Sequence, residues 1–512
     1  MKILTDNYKE IIICLFAFFI LFIFPGTVPG VHFDELWVLF KAKNIFEGKT
    51  PPPLNGMNSY TGAIQIYLIL PIVALFGFTA KTIKITNAFI NTASIAFLIY
   101  AVKALHPNKK YHLLFGAATA TLPFFVCMGR FAVEITAVNL LLTSAGFFFI
   151  IKAFNNPKTT KPILPFLSGL SFGLASYNHL ISILPVASFG ISLLIFYGKD
   201  LLKSRILKFT LLGFTLGFAP RIASLILTKE PTINNSFMLV EILKDIPHLI
   251  RISFAMIDGQ LIFLRFTGEN LIPLLPYLSS TLAIFLWIRF SLIKEKINKT
   301  DKTILTGLFI MIILLIIISP RFSIRYFLIP MLFVPYLLTR LSYSLREKGN
   351  ETLKKVSLIL TSVVIALNIF YLTVNYFVSF IKSGGKTTEF QIGERLVETS
   401  AHFVLTDRLY KELLDKQIKF IVGDAAIIMP VFYHDPEKKI TGATPYLLDN
   451  PDSRMLEDSN IIFSEKSAQI YYNPVDLPNS IYYKHKKKIL AYKRDFSFDP
   501  NFAVFVSQKI TQ

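Results

Sequence analysis

Four short stretches of this chain hold residues whose types could do chemistry together. "HFDELW" sets Asp34 and Glu35 side by side, just past an apolar run. "CMGRFAVEIT" sets Arg130 and Glu134 four apart, and "ASYNHLIS" carries Asn178 and His179. "ISPRFSIRYFLIP" sets Arg321 and Arg325 four apart, followed by Tyr326. A carboxylate can take a proton from a hydroxyl. Guanidinium groups hold phosphate and stabilise it as it leaves. Each stretch also has a plain structural reading. Asp34 and Glu35 suit a solvated helix end, and His179 a satisfied turn histidine. Arg130 with Glu134 would make a helical ion pair contributing about 0.3–0.5 kcal/mol if exposed. Arg321 and Arg325 could snorkel to lipid headgroups. It is their combination that points to a site.

The elements that must position them are membrane helices. Of 512 residues, 53% are hydrophobic, 17% are charged and 49 are Phe. Apolar runs long enough for a hydrocarbon core of about 30 Å recur along most of the chain. The first, "IIICLFAFFILFIFPG", has no small-residue cleavage site after it and reads as a retained helix. The net charge of +20 does not signal nucleic acid, because Lys and Arg gather in short loops between apolar runs. Cys14 and Cys127 lie inside such runs and fit neither a disulfide framework nor a metal spacing.

Twelve apolar runs can be drawn, but the charge bias is satisfied by eleven crossings, with 62–78 dipping in from the outside. That run is short and carries Gln65 and Pro71. The loops at Lys109–Lys110, Lys152–Lys161, Lys199–Lys208, Arg289–Lys302 and Arg340–Lys355 then fall inside. The Asp34–Glu35 loop, the long loop 228–270 and the tail after 380 fall outside. Residues 1–380 therefore read as a transmembrane domain with a first outer loop at 26–82. Residues 381–512 read as a small outer α/β domain. In it "ERLVETSAHFVLTDRLYKELLDKQI" has helical spacing, and "KFIVGD" and "NFAVFVS" read as strands. With this topology all four stretches converge on the outer face. Ionisable groups at membrane depth are costly and mark function by default.

No nucleotide-phosphate loop is present, neither G-x-x-x-x-G-K-[ST] nor G-x-G-x-x-G. An outer-face enzyme would instead use a lipid-linked donor, a sugar phosphate on a polyprenol whose tail lies among membrane lipids. Asp34 suits the base, Arg321 and Arg325 the phosphate clamp, and the helix surfaces an apolar groove.

"HFDELWVLFKAKNIFEGKTP", the Pro-rich turn after it and "YTGAIQIYLILPIVALFGF" resemble the first outer loop of the GT-C glycosyltransferases of the protein O-mannosyltransferase and aminoarabinose-transferase type. The resemblance implies a GT-C fold: an α-helical polytopic membrane protein with about eleven transmembrane helices and a C-terminal extracytoplasmic α/β domain. It implies that Asp34 is the catalytic base, with Glu35 beside it. Pro123, Arg130 and Glu134 resemble a further family pattern, with Glu134 where many members have Asp. "RFSIRYFLIP" resembles the late Arg-Tyr-x-x-Pro turn, which gives a donor-phosphate role to Arg325, Arg321 and Tyr326 and extends it to Arg130. His179, Asn178, Tyr60 and Glu269 are candidates for the donor or acceptor pocket. The resemblance also leaves room for a divalent ion, Mg²⁺ or Mn²⁺, on Asp34, Glu35 and Glu134. Aminoarabinose-type members often have Lys-Pro-Pro in the first loop; this chain has "TPPPLNG". The implied partners are a polyprenyl-phosphate sugar donor and a glycan, lipid or protein acceptor, at the extracytoplasmic face of a cell membrane. The alternatives are a transporter or flippase for a lipid-linked or small polar substrate, and a non-catalytic scaffold.

Overall fold

The computed structural model describes residues 7–58, 60–107, 110–131, 135–155, 161–228, 299–318, 326, 328–348, 351–383, 407–423, 425–443, 467–472, 479–485, 488–498 and 502–508. The chain forms two compact units. One comprises Met1–Val28, Val38–Lys382 and Thr388–Ser400; the other comprises Pro29–Trp37, Ser383–Thr387 and Ala401–Gln512.

The first unit is helical. It opens with α1 (Tyr8–Phe22); α2 (Phe33–Phe46) belongs to it from Val38 on, its first residues through Trp37 being part of the second unit. The apolar dip is α3 (Ile64–Phe76). Its 13 residues span about 20 Å, less than a hydrocarbon core of about 30 Å. Next comes α4 (Ala80–Leu105), capped where the Thr79 hydroxyl accepts from Thr82 N. The expected crossing at 111–128 is broken into α5 (Tyr111–Ala120) and α6 (Pro123–Gly129), bent by 58°. Pro123 causes the break, because it lacks an N–H and disfavours helical backbone at Leu122 before it.

The chain continues through a π-helical turn (Ile135–Asn139), α7 (Leu140–Asn155), α8 (Ile163–Asn178), α9 (Ile183–Lys203) and α10 (Arg205–Thr228). Beyond the undescribed residues follow α11 (Lys299–Ile318), α12 (Leu328–Met331), α13 (Phe333–Lys348) and α14 (Glu351–Tyr371). A second π-helical stretch (Leu372–Val378) and α15 (Ser379–Ser383) close the unit. Among the described residues, five helices are long and apolar enough to span a membrane, or six with the bent pair. The chain is thus a multi-pass membrane protein. The expected crossing at 271–290 lies outside the described residues.

The closest packing runs between α8 and α10, which lie parallel. A Cβ at Gly169 would sit 1.9 Å from the Thr210 carbonyl, and one at Gly173 would sit 2.3 Å from the Phe214 carbonyl. From the other side, Cβ atoms at Gly213 and Gly217 would meet the carbonyls of Phe166 at 2.1 Å and Leu170 at 2.5 Å. Small residues four apart on both helices let the backbones touch, the usual substitute in lipid for a hydrophobic driving force. One turn beyond each pair, the same stripes carry Tyr177 and Arg221.

The opposite end of the unit is held by buried charge. At the start of α1, Glu10 accepts from Lys103 Nζ at 2.5 Å and lies 3.1 Å from His112 Nε2. Asp301 accepts from Arg340 Nη2 at 2.5 Å and Nε at 3.2 Å, and from the Tyr336 hydroxyl at 3.1 Å. A fork of this kind is a strong, charge-assisted contact. It closes the hairpin of α11 and α13 at the end away from Tyr326.

The second unit includes α16 (Asp407–Asp415), β1 (Phe420–Gly423), α17 (Ala425–Tyr433), β2 (Thr441–Ala443), β3 (Ser467–Tyr472), β4 (Ser480–His485), β5 (Lys488–Arg494) and β6 (Phe502–Gln508). The strands form one sheet in the order β2-β1-β3-β6-β5-β4. β1 is parallel to β2 and β3; the remaining pairs are antiparallel. Leu409 and Leu413, four apart on α16, join Ile421, Val431, Ile470 and Val504 in its core.

Across this unit Lys416 Nζ donates to Asp495 at 2.6 Å, and the Ser497 amide donates to it at 3.0 Å. Burial pushes the Asp495 carboxyl up, but Lys416 and Ser497 outweigh it and hold it at about 2, below its ordinary 3.8. Its contribution is therefore present above about pH 4 and lost as pH falls through 2. After discounting for partial exposure it amounts to about 1–2 kcal/mol. Lys416→Met in the full chain should lower amide-exchange protection in β1 about 10-fold at pH 7. The gap to the unsubstituted protein should narrow as pH approaches 2.

Candidate functional site

The acidic pair opens α2, and His32 caps it. The Asp34 amide donates to His32 Nδ1 at 3.1 Å, while Glu35 Oε2 accepts from the His32 amide at 3.1 Å. This is the reciprocal pattern of a capping box, with a histidine where Ser or Thr usually stands. Because Nδ1 accepts, a neutral His32 carries its proton on Nε2. Its 3.7 Å approach to Asp34 Oδ2 is then a close contact rather than an ion pair. His32 and Glu35 are fully buried, and Asp34 is 7% exposed. Glu35 joins the cap through its side chain, and Asp34 joins it through its amide.

In the helical unit, the Pro-rich loop after α2 is stitched to the ends of α8 and α10. The Tyr177 hydroxyl donates to Leu54 O at 2.6 Å and accepts from Ala63 N at 3.3 Å. Asn178 accepts from Gly62 N at its backbone oxygen (2.8 Å) and from Ile64 N at Oδ1 (3.2 Å). Fully buried Arg221 donates to Thr61 O at 3.3 Å, and the Ser224 hydroxyl donates to Asn55 Oδ1. Two helices locked by the glycine seam therefore present one rigid edge to which this loop is fastened.

At that edge His179 ends α8. Its Nδ1 accepts from Ile181 N at 3.1 Å, which caps a short 3₁₀ turn (Leu180–Ser182) and leaves the proton of a neutral ring on Nε2. The ring lies between two tyrosines: Tyr60 of the first loop, at 5.2 Å between centroids, and Tyr326 of the late turn, at 5.6 Å. Tyr60 O also accepts from Leu180 N at 3.3 Å. Segments more than 260 residues apart in sequence meet through one imidazole. Beneath it runs a buried amide chain. Asn178 Nδ2 donates to Asn139 Oδ1 at 2.5 Å, and Asn139 Nδ2 donates to Ser182 Oγ at 2.6 Å. Asn139 comes from the first π-helical turn, a distortion often found at functional sites. Asn139, Ser182 and Tyr326, with Met311, Leu315 and Leu328, border a narrow cleft.

The candidate residues thus fall into three groups. Tyr60, Asn178, His179 and Tyr326 come together at this junction. Asp34 and Glu35 stand in the acidic cap. Arg130 follows the end of helix α6 at Gly129, and its guanidinium donates to main-chain carbonyls of the α1 end. Glu134, Arg321, Arg325 and Glu269 lie outside the described residues. Among the described residues, no group of three or more His, Cys, Asp or Glu gathers to hold a metal ion. His32, Arg221, Asn139, Ser182 and Tyr177 were not singled out from sequence. Only the four-residue steps Gly169, Gly173, Tyr177 and Gly213, Gly217, Arg221 offered a signal.

No family model matches the chain, and no curated protein matches it in sequence. Solved structures do match. The crystal structure of ArnT from Cupriavidus metallidurans bound to undecaprenyl phosphate aligns over 99% of this chain and 99% of its own, with TM-score 0.50 and 11% identity. The same protein in the apo state aligns over 99% and 98%, with TM-score 0.47 and 10% identity. The apo oligosaccharyltransferase of Archaeoglobus fulgidus aligns over 98% of this chain and 76% of its own, with TM-score 0.49 and 10% identity. The first likeness establishes the fold, which this chain shares with that ArnT structure along its whole length.

Proposed function

We propose that the protein is an integral membrane glycosyltransferase that moves one sugar from a polyprenyl-phosphate donor to a hydroxyl of a glycan, glycolipid or protein on the extracytoplasmic face. The observation that carries this reading is the His179 junction, where the first outer loop and the late Arg-Tyr turn meet beside a mostly apolar cleft. A lipid-linked sugar phosphate needs a polar head site next to an apolar channel for its tail. The polar atoms of Tyr326, Asn139 and Ser182 supply the first, and Met311, Leu315 and Leu328 the second. The fold match agrees with this reading, since that ArnT structure holds undecaprenyl phosphate.

In the proposed reaction Asp34 takes the proton of the acceptor hydroxyl as its oxygen attacks the anomeric carbon. The bond from that carbon to the phosphate oxygen breaks, and the polyprenyl phosphate leaves with the electron pair. Direct displacement inverts the anomeric centre. Arg321 and Arg325 neutralise the departing phosphate, with Tyr326 beside them. His179 holds the two segments in register and can offer Nε2–H to a phosphate oxygen. Glu35 serves the cap of α2.

Purified protein, a polyprenyl-phosphate donor with a radiolabelled sugar and an envelope extract as acceptor test this. The expected result is label in a new glycosidic bond, with free polyprenyl phosphate released. Movement of intact labelled donor across proteoliposomes with no new bond would show a transporter instead.

A further inference from the structure

Arg130 is among the most completely engaged side chains in the helical unit, and its partners are backbone. Nε donates to Val28 O at 2.9 Å, Nη1 to Ile20 O at 2.5 Å and Nη2 to Val28 O at 2.5 Å; Nη2 also faces the carbonyls of Ile23 and, at 3.4 Å, Phe24. These oxygens belong to the last turn of α1 and the turn after it. A helix end leaves carbonyls without partners, which is costly where water is absent. It also carries partial negative charge that a cation relieves. At 3% exposure, Arg130 does both.

The turn it captures is strained. Phe24 has φ +53°, the left-handed region that costs a bulky L-residue about 1–3 kcal/mol. Such a conformation persists only where its surroundings impose it. The surroundings of Arg130 are themselves fixed. Asn87 and Asn91, one turn apart on α4, both donate Nδ2 to the Gly129 carbonyl, at 2.6 and 2.9 Å. The Phe377 ring, in the second π-helical stretch, lies 5.0 Å from the guanidinium carbon. The chain leaves the captured turn at Val28 and reaches Asp34 six residues later.

We infer that Arg130 is a positioning residue: by binding the carbonyls from Ile20 to Val28 it fixes the strained turn from which the chain runs to Asp34. This rests on the glycosyltransferase reading for its catalytic consequence, though not for the clamp. A lysine keeps the charge but not the planar fork, so it cannot serve several carbonyls at once.

Arg130→Lys in the full-length protein should lower kcat about 100-fold, the scale of loss that a misplacement of about 1 Å brings. The donor KM should stay within about 3-fold. Amide exchange at Thr27 and Val28, both bonded to Phe24 O, should rise about 10-fold. Adding Phe24→Asn, which tolerates φ > 0, should recover part of the lost kcat. A raised donor KM with unchanged kcat would mark Arg130 as a donor contact and overturn the positioning role, as would an unchanged kcat. Unchanged exchange at Thr27 and Val28 would overturn the clamp. The exchange readout needs no turnover. Faster exchange in a protein that transfers no sugar would therefore sink the functional reading while leaving the clamp standing.

Discussion

Asp34→Asn should reduce kcat for sugar transfer by about 10³-fold, within the 10²–10⁴ range supplied by general bases, while donor binding changes little. The substitution is close to isosteric. The bond that seats Asp34 in the cap comes from its amide to His32 Nδ1, which an asparagine keeps. That cap bond is therefore kept at the start of α2. Glu35→Gln makes the contrast. Its carboxylate accepts from the His32 amide, and a glutamine oxygen at the third helical position can accept the same bond. Activity within about 5-fold of the unsubstituted enzyme is expected there. The pair is read by initial rates at saturating donor and by donor binding in detergent. Equal, severe losses for both variants would mean that the two carboxylates act as one unit. Near-normal turnover by Asp34→Asn would remove the base assignment.

The other large effect is structural. Gly169→Leu should prevent folding. A Cβ there would lie 1.9 Å from the Thr210 carbonyl and 2.8 Å from Phe214 N, backbone atoms that cannot step aside. Relieving the overlap means parting α8 from α10 along their whole parallel contact. Overpacking typically costs about 1–3 kcal/mol, and a clash against backbone belongs to the tail above about 4 kcal/mol. The consequence reaches the junction, because the ends of these helices carry Tyr177, Asn178 and Arg221, which fasten the Pro-rich loop after α2. Gly190→Ala is the control, since nothing lies within 4 Å of a Cβ there. Size-exclusion chromatography in detergent should show loss of the monodisperse peak for Gly169→Leu and an unchanged profile for Gly190→Ala. A folded Gly169→Leu protein would mean that the seam does not hold the helices.

Several local features were legible in the sequence because they rest on local rules. The apolar runs gave the long helices. The run at 62–78 became the short helix α3, with Pro71 inside it. "KFIVGD" and "NFAVFVS" became β1 and β6, and Asp407–Asp415 in the expected helical stretch became α16. The bend at Pro123 could have been read from the same rules, yet the length of the apolar run hid it. The site was less legible because its residues act through distant contacts. Arg130 looks like half of an ion pair with Glu134, but it bonds to carbonyls more than 100 positions earlier. Glu35 looks like a second catalytic acid, and its bond to the His32 amide could be foreseen only by knowing that His32 faces it. His179 looks like a turn histidine, and it is one; what the sequence does not show is that Tyr60 and Tyr326 flank it.

The central claim is that the polyprenyl-phosphate head docks where the first outer loop meets the late Arg-Tyr turn. Photo-crosslinking with a polyprenyl phosphate carrying a diazirine next to the phosphate tests it directly, with labelled peptides identified by mass spectrometry. Labelling should fall on peptides holding Tyr60, His179 and Tyr326, and unlabelled polyprenyl phosphate should compete it away. Competed labelling confined to the opposite end, around Glu10, Asp301 and Arg340, would contradict it.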